Sequence, residues 1–135
     1  MALSYNVSLR NNMIQLVQTD LDAQTSAGVL NIYSGTRPAT GAALSGNTLL
    51  ATVTFSNPSA PAASNGVLTF NAITADNSAA ATGTATWARA TDGAGNFVFD
   101  ANVGTTGSDI NLNSTSITAG GIVSITSATI TEGNP

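Results

Sequence analysis

The chain has 135 residues, of which 42% are hydrophobic and only 7% are charged, and its formal net charge is −4. Ordinary soluble domains carry roughly 25% charged residues, so most of this surface must be neutral. Three arginines and no lysine give no cationic footprint for nucleic acid or for an anionic membrane. Without histidine and cysteine, Ser-His-Asp and Cys-His catalysis and disulfides are excluded. We expect a single domain, 1–135, that is not an enzyme and holds no cofactor.

The first predicted element is an α-helix over residues 4–24, with Ser4 or Asn6 as its N-cap. Apolar residues recur there at spacings of three, four and seven, which is typical of a helix with one apolar stripe. Two aspartates lie in the last turn, where the helix dipole disfavours negative charge. We therefore expect the stripe to be buried on the rest of the domain or against another subunit. It contains Leu9, Met13, Leu16, Val17 and Leu21.

After Gly28 the apolar period changes to two, which indicates strands separated by turn residues. One helix followed by seven short strands predicts an antiparallel β-sandwich over residues 28–131, either jelly-roll or Ig-like. Residues 132–135 are predicted to be a flexible tail. The seven β-rich segments are "GVLNIYSG", "TLLATVTFS", "GVLTFNAI", "GTATWARAT", "NFVFDANV", "SDINLN" and "GIVSITSATIT".

In the last β segment, the alternation of apolar and polar residues shifts by one position. Val123 and Ile125 point to one face of a flat strand, whereas Ala128 and Ile130 point to the other. Either a bulge near 126–127 resets the alternation, or both faces are covered. We favour two covered faces, with another subunit on the outer one.

The hairpin around "DGAGN", Asp92–Asn96, is either a binding site or a purely structural part of the domain. The loop lacks the alternating acidic oxygens and the closing glutamate of a calcium loop, so we interpret it as a plain turn. Trp87 and Arg89 lie two positions apart and share one strand face. They either cover the edge of the core, anchor a protein interface or stack on a sugar. We keep both as candidate interface residues.

Two further stretches carry polar side chains. Asp109, Asn111 and Asn113 line one face of "DINLN", which we interpret as the wet face of a half-buried strand rather than a metal site. Arg37, in the predicted surface loop 34–41, is a candidate docking residue. The acids are scattered singly along the chain, so we assign no catalytic residue and no metal ligand.

The order of the motifs resembles that of small tailed-phage structural proteins of the capsid decoration, or cement, type. The motifs are "GVLNIYSGTRP", "NTLLATVTFS", "NGVLTFNAI", "ATGTATWARATDGAGNFVFDANVG" and "SDINLNSTSITAGGIVSITSATIT". The resemblance implies a protein that binds the outside of the major capsid protein lattice and stabilises the head. It also implies a homotrimer or homodimer that is made in the host cytoplasm and resides on the capsid surface of the virion. No active residue is carried over.

Two alternatives remain. A phage tail or baseplate module that binds host surface carbohydrate would need two or more exposed rings, and the chain has one Trp and two Tyr. A fimbria-like bacterial surface subunit would be expected to begin with a signal peptide, which "MALS" does not resemble. The candidate residues of a protein interface are Trp87, Arg89, Arg37 and Leu16.

Overall fold

A computed structural model describes residues 5–132 of the chain. It confirms a mainly β fold with one N-terminal helix, roughly a β-sandwich. Ser4, the first residue of the predicted helix 4–24, and residues 133–135 of the predicted tail 132–135 lie outside the described residues. The elements are α1 (Val7–Leu21), β1 (Val29–Tyr33), β2 (Leu49–Thr54), β3 (Val67–Thr69), β4 (Gly83–Thr84), β5 (Trp87–Thr91), β6 (Phe97–Gly104), β7 (Ile110–Leu112), β8 (Ser116–Ile117) and β9 (Ile125–Thr131).

Seven of the strands form one curled sheet in the order β2-β1-β5-β6-β7-β9-β3, and β4 pairs with β8 in a separate ribbon. All paired neighbours are antiparallel except β6 and β7, which makes the sheet mixed rather than purely antiparallel. The parallel contact is short, since only Val103 and Gly104 of β6 pair with β7. It therefore marks the corner where the chain passes from one wall of the fold to the other.

The two walls face each other across one hydrophobic core. One wall contains β2, β1, β5 and β6, and the other contains β7, β9 and β3. Phe70, directly after β3, joins them: its ring centroid lies 5.1 Å from that of Phe55 beyond β2 and 6.1 Å from that of Phe99 in β6. The largest fully buried apolar side chains of this core are Phe55, Leu21, Leu30, Ile32, Leu50, Leu68, Ile110, Leu112, Val53 and Val123.

The chain between β3 and β4 closes the open side of the sheet. Thr74 pairs with Thr54 at the end of β2, with N···O distances of 2.8 and 3.2 Å. Two residues later, Asp76 pairs with Val123 at 2.8 and 2.9 Å. The Asp76 carboxylate also accepts a hydrogen bond from the backbone N–H of Thr52 at 2.9 Å. The edge of β2, which would otherwise present unpaired backbone groups, is thereby covered.

Helix α1 lies against β3 and β6, and its N-cap is Asn6, whose side chain accepts from the N–H of Leu9 at 2.8 Å. Ile14 and Leu21 are its buried apolar residues. Of the predicted stripe, Leu21 is buried on the domain, whereas Leu16 is 62% exposed, so the domain does not bury the whole stripe and its burial against another subunit stays a prediction. The apolar stripe is wider than the surface that α1 buries against the domain, so only one flank of the stripe reaches the core. Within the described residues, no helix is both long and apolar enough to cross a membrane.

Polar side chains fix the other flank of α1 to the loop before β3. Gln15 Oε1 accepts from the N–H of Ala63 at 2.6 Å, and the carboxylate of Asp22 accepts from the N–H of Ser59 at 3.0 and 3.1 Å. These bonds satisfy loop N–H groups that no strand pairs. The helix is thus held in place by hydrogen bonds as well as by apolar contact.

The phase change in β9 is resolved by a bulge. Ser127 pairs with Asn111, but the next residue of β7, Leu112, pairs with Ile125. Thr126 is the extra residue between them, and it resets the alternation. The favoured expectation of two covered faces with a second subunit is therefore not needed to explain the sequence pattern.

Candidate interaction surfaces

The outer face of β1, β5 and β6 carries the residues that the sequence singled out. Pairing places Tyr33 opposite Trp87, and Arg89 opposite Asp100. The rings of Tyr33 and Trp87 stack with centroids 4.7 Å apart and an interplanar angle of 20°. Trp87 is 1% exposed and Tyr33 is 8% exposed. This outer face is therefore a second, small packed cluster rather than a wet surface.

Arg89 and Asp100 form a bidentate ion pair inside this cluster. Nε donates to Oδ1 at 2.8 Å and an Nη donates to Oδ2 at 3.1 Å. The guanidinium carbon lies 5.3 Å from the centroids of both the Trp87 and the Phe97 rings. The side chains are only 13% and 4% exposed. The cation is thus neutralised and stacked within the chain.

The loop between β1 and β2 lies on this face. The N–H of Gly41 donates to Asp100 Oδ2 at 3.1 Å, and the hydroxyl of Thr86 donates to the carbonyl of Gly35. Gly41 has φ +70°, and a Cβ there would lie 3.2 Å from the Phe97 ring, so a larger residue would lift the loop. The loop was predicted to be a surface loop, and it covers the cluster beneath it.

These contacts place Trp87 at the edge of the packed interior. Of the three alternatives for Trp87 and Arg89 in the sequence analysis, this is the one in which they cover the edge of the core. A partner cannot reach its ring without displacing the loop. Its indole Nε1 is buried and has no hydrogen-bond partner among the described residues, which is a cost that the stacking on Tyr33 must offset. Arg89 is committed to Asp100, so neither residue is presented for an intermolecular contact.

The cluster shifts the pKa values of its own groups. Burial raises the pKa of the Tyr33 phenol. The charge of Arg89 lowers this pKa and the charge of Asp100 raises it. The hydrogen bond that Arg89 donates to Asp100 raises the pKa of Arg89 above its ordinary value. Both shifts favour the protonated forms that Tyr33 and Arg89 already hold near neutral pH.

The Asp92–Asn96 loop is a closed turn. Asp92 Oδ1 accepts from the N–H groups of Ala94 and Asn96 at 2.9 Å each, and Oδ2 accepts from the Asn96 side-chain amide at 3.0 Å. Gly95 has φ +89°, as the turn requires. The hydrogen bonds from Asn96, first from its side chain and then from its backbone, lower the pKa of Asp92. The carboxylate stabilises the turn with the oxygens that a cation would need.

The row of Asp109, Asn111 and Asn113 is not a uniform wet face. Asn111 is buried, and its amide donates to the carbonyl of Ser108 and to the hydroxyl of Ser127, both at 2.8 Å. The wet-face interpretation is wrong for Asn111, because its amide bonds to the hydroxyl of Ser127, directly opposite in β9, and to the backbone of Ser108 rather than to solvent. Within residues 5–132 no three acidic, histidine or cysteine side chains gather as a metal site.

A shallow groove of about 220 Å³ lies between β8 and the start of β9. Its lining is mixed, with Asn113, Ser116 and Thr118 beside Ile117 and Ile122. Asn113 bonds across it to the carbonyl of Ile122 at 3.2 Å. The groove contains no titratable group and no nucleophile activated by a neighbour.

Few charged side chains are exposed on the described part of the chain. In residues 5–132, Asp20, Arg37 and Asp109 are the only exposed Asp, Glu or Arg residues. None of the three side chains forms a hydrogen bond or ion pair with the described residues. Arg37 is therefore presented to solvent, as expected for a residue of the predicted surface loop, and Leu16 is exposed as well. Asp100 was not predicted as the partner of Arg89. Counting symmetrically out from the Asp92–Asn96 turn places Phe99 opposite Arg89, and the irregularity between Ala90 and Thr91 shifts the register by one, so that Asp100 lies there instead.

No family model, no curated protein sequence and no solved structure matches this chain.

Proposed function

We propose that the chain is a non-enzymatic virion structural protein, a capsid decoration or cement protein. It binds the outside of the major capsid protein lattice and stabilises the head. The order of motifs, which resembles that of small tailed-phage structural proteins, suggests this function.

The observation that carries the proposal is the near-absence of exposed charge on a closed, hydrogen-bonded β domain. Only three acidic or arginine side chains are exposed in residues 5–132, while the loops are tied down by side-chain bonds such as that of Gly41 to Asp100. Ordered loops lose little entropy when they meet a rigid lattice. A neutral surface associates by shape and apolar contact, which salt screens little.

The carbohydrate-binding alternative loses its main support. A sugar platform needs exposed rings, but Trp87 is 1% exposed and Tyr33 is 8% exposed. Phe97 is 41% exposed, yet it belongs to the packed edge of the same cluster.

The test is to mix the purified protein with empty shells assembled from the major capsid protein of the same phage. We expect the protein to sediment with these shells and to give electron-microscopy density on their outer surface. Binding should persist at about 0.5 M NaCl, because few charges are exposed. Shells of an unrelated tailed phage are the control. Density on the tail of intact virions, or no binding to the matching shells, would contradict the proposal.

A further inference from the structure

One face of α1 is apolar yet open to solvent. Leu9, Met13, Leu16 and Asp20 follow at spacings of four, three and four, so they lie in one row along the helix. Leu9 is 41% exposed, Leu16 is 62% exposed and Met13 is half-buried. We call these four residues the helix row. It is about 17 Å long and ends in a carboxylate without a partner among the described residues.

A second exposed apolar set surrounds the loop between β1 and β2. Leu44 lies in the loop, Leu49 begins β2 and Phe97 packs against the loop from β6. Their exposed fractions are 45%, 38% and 41%. Arg37 belongs to the same loop and has no partner among the described residues. We call these four residues the loop surface.

The two surfaces are complementary in composition. Each combines apolar side chains with one unpaired charge, and the two charges have opposite sign. Five of the seven large hydrophobic side chains that are exposed in residues 5–132 lie on these surfaces. Of the three arginines, Arg37 is the one whose side chain has no partner among residues 5–132, since Arg10 donates to the carbonyl of Glu132 and Arg89 is bound to Asp100.

We propose that copies of this chain associate head to tail, with the helix row of one copy on the loop surface of the next. In this contact Asp20 of one copy pairs with Arg37 of its neighbour. The occupant is thus a second copy of the same chain, and the charge complementarity identifies it. Because the two surfaces differ, the contact is heterologous and builds a closed ring or an open chain of subunits rather than a two-fold dimer.

The position of Asp20 supports this pairing. A carboxylate in the last turn of a helix lies near the negative end of the helix dipole, so it destabilises the isolated subunit. An arginine from a neighbour would neutralise both this carboxylate and the exposed carbonyl end. The helix row is smaller than the ~800 Å² per partner of a standard stable interface, so we expect a dissociable assembly.

The test is a charge-swap cycle measured by sedimentation velocity on the purified chain, from about 1 μM to about 1 mM. We expect the wild-type mass to rise with concentration. Asp20→Arg and Arg37→Asp should each weaken association about tenfold or more, and the double variant should restore it to within about threefold of wild type. Asp109→Arg makes the same charge change at an exposed site off both surfaces, and it should leave association unchanged.

Loss of fold cannot produce the expected pattern. Asp20→Arg replaces a charge that the helix dipole disfavours, so its melting temperature should not fall. Leu16→Ser and Leu44→Ser, on opposite sides of the contact, should each weaken association while circular dichroism stays unchanged. A wild-type chain that stays monomeric, single variants that associate normally, or a double variant that is not restored would each overturn the proposal. The measurement needs no capsid shell, so its result is independent of the proposed function.

Discussion

At the scale of single residues, Trp87 shows how a strand face changes character when a loop covers it. Alternation places Trp87 and Arg89 on the outer face of β5, away from the main core. The loop that holds Gly41 against Asp100 then excludes water from this face. Stacking on Tyr33 and the ion pair with Asp100 fill the space beneath it. The residue types that commonly anchor protein interfaces thus stabilise the monomer itself.

We predict that Trp87→Ala lowers the free energy of unfolding by about 3–5 kcal/mol, as expected for a large buried aromatic side chain. Phe97→Ala is the matched control, since Phe97 is an aromatic residue of the same cluster that is 41% exposed. It should cost less than half as much. Urea denaturation followed by circular dichroism measures both values. Equal stability of Trp87→Ala and wild type would show that the loop does not pack as described.

At the scale of elements, the strands were predictable because a half-buried strand alternates in sequence. All seven predicted β segments contain strands, and "GTATWARAT" is divided between β4 and β5. The short strand β8, Ser116–Ile117, was not predicted, since two residues carry no period. The parallel pairing of β6 with β7 was also not predictable, because pairing depends on distant parts of the chain.

The candidate site was less predictable than the strands. Strand periodicity correctly placed Trp87 and Arg89 on one face. It could not show that this face is covered, because the loop between β1 and β2 has no periodic signal and is fixed by tertiary contacts such as Asn47 to the carbonyls of Ser34 and Thr36. The extent of the contact between the helix and the domain was not predictable for a related reason, because an apolar row does not show which of its flanks meets the core.

The helix provides a comparison of identical substitutions on its two flanks. Leu21 is 0% exposed and Leu16 is 62% exposed. We predict that Leu21→Ala lowers the free energy of unfolding by about 2–5 kcal/mol through the lost transfer energy and the cavity, whereas Leu16→Ala changes it by about 0.5 kcal/mol or less. Thermal unfolding at low protein concentration keeps association out of the measurement. Comparable losses for the two variants would mean that α1 packs with the other flank inward.

At the scale of the whole molecule, stability depends on how the curled sheet is closed. The chain between β3 and β4 bridges β2 on one side and Val123 on the other, so it joins the two walls. The helix fixes the loop before β3 through Gln15 and Asp22. The edge of β2 is thus covered by the chain itself. Association through the helix row and the loop surface uses side chains, so it does not require strand exchange.

Asp76 is the residue that holds this closing segment. Its Oδ2 accepts from the N–H of Thr52 on the edge of β2, and its Oδ1 accepts from the N–H of Ser78, each at 2.9 Å. Asp76→Ala removes two hydrogen bonds to a charged acceptor and leaves a strand N–H unpaired, so we predict a loss of about 1.5–3 kcal/mol in the free energy of unfolding. Hydrogen exchange should also accelerate at Thr52 and Thr54, because the segment detaches locally before the domain unfolds. Asp109→Ala is the control, since that exposed carboxylate has no partner among the described residues, and it should be neutral within about 0.5 kcal/mol. If the two variants behave alike, the sheet is closed by backbone pairing and apolar contact alone.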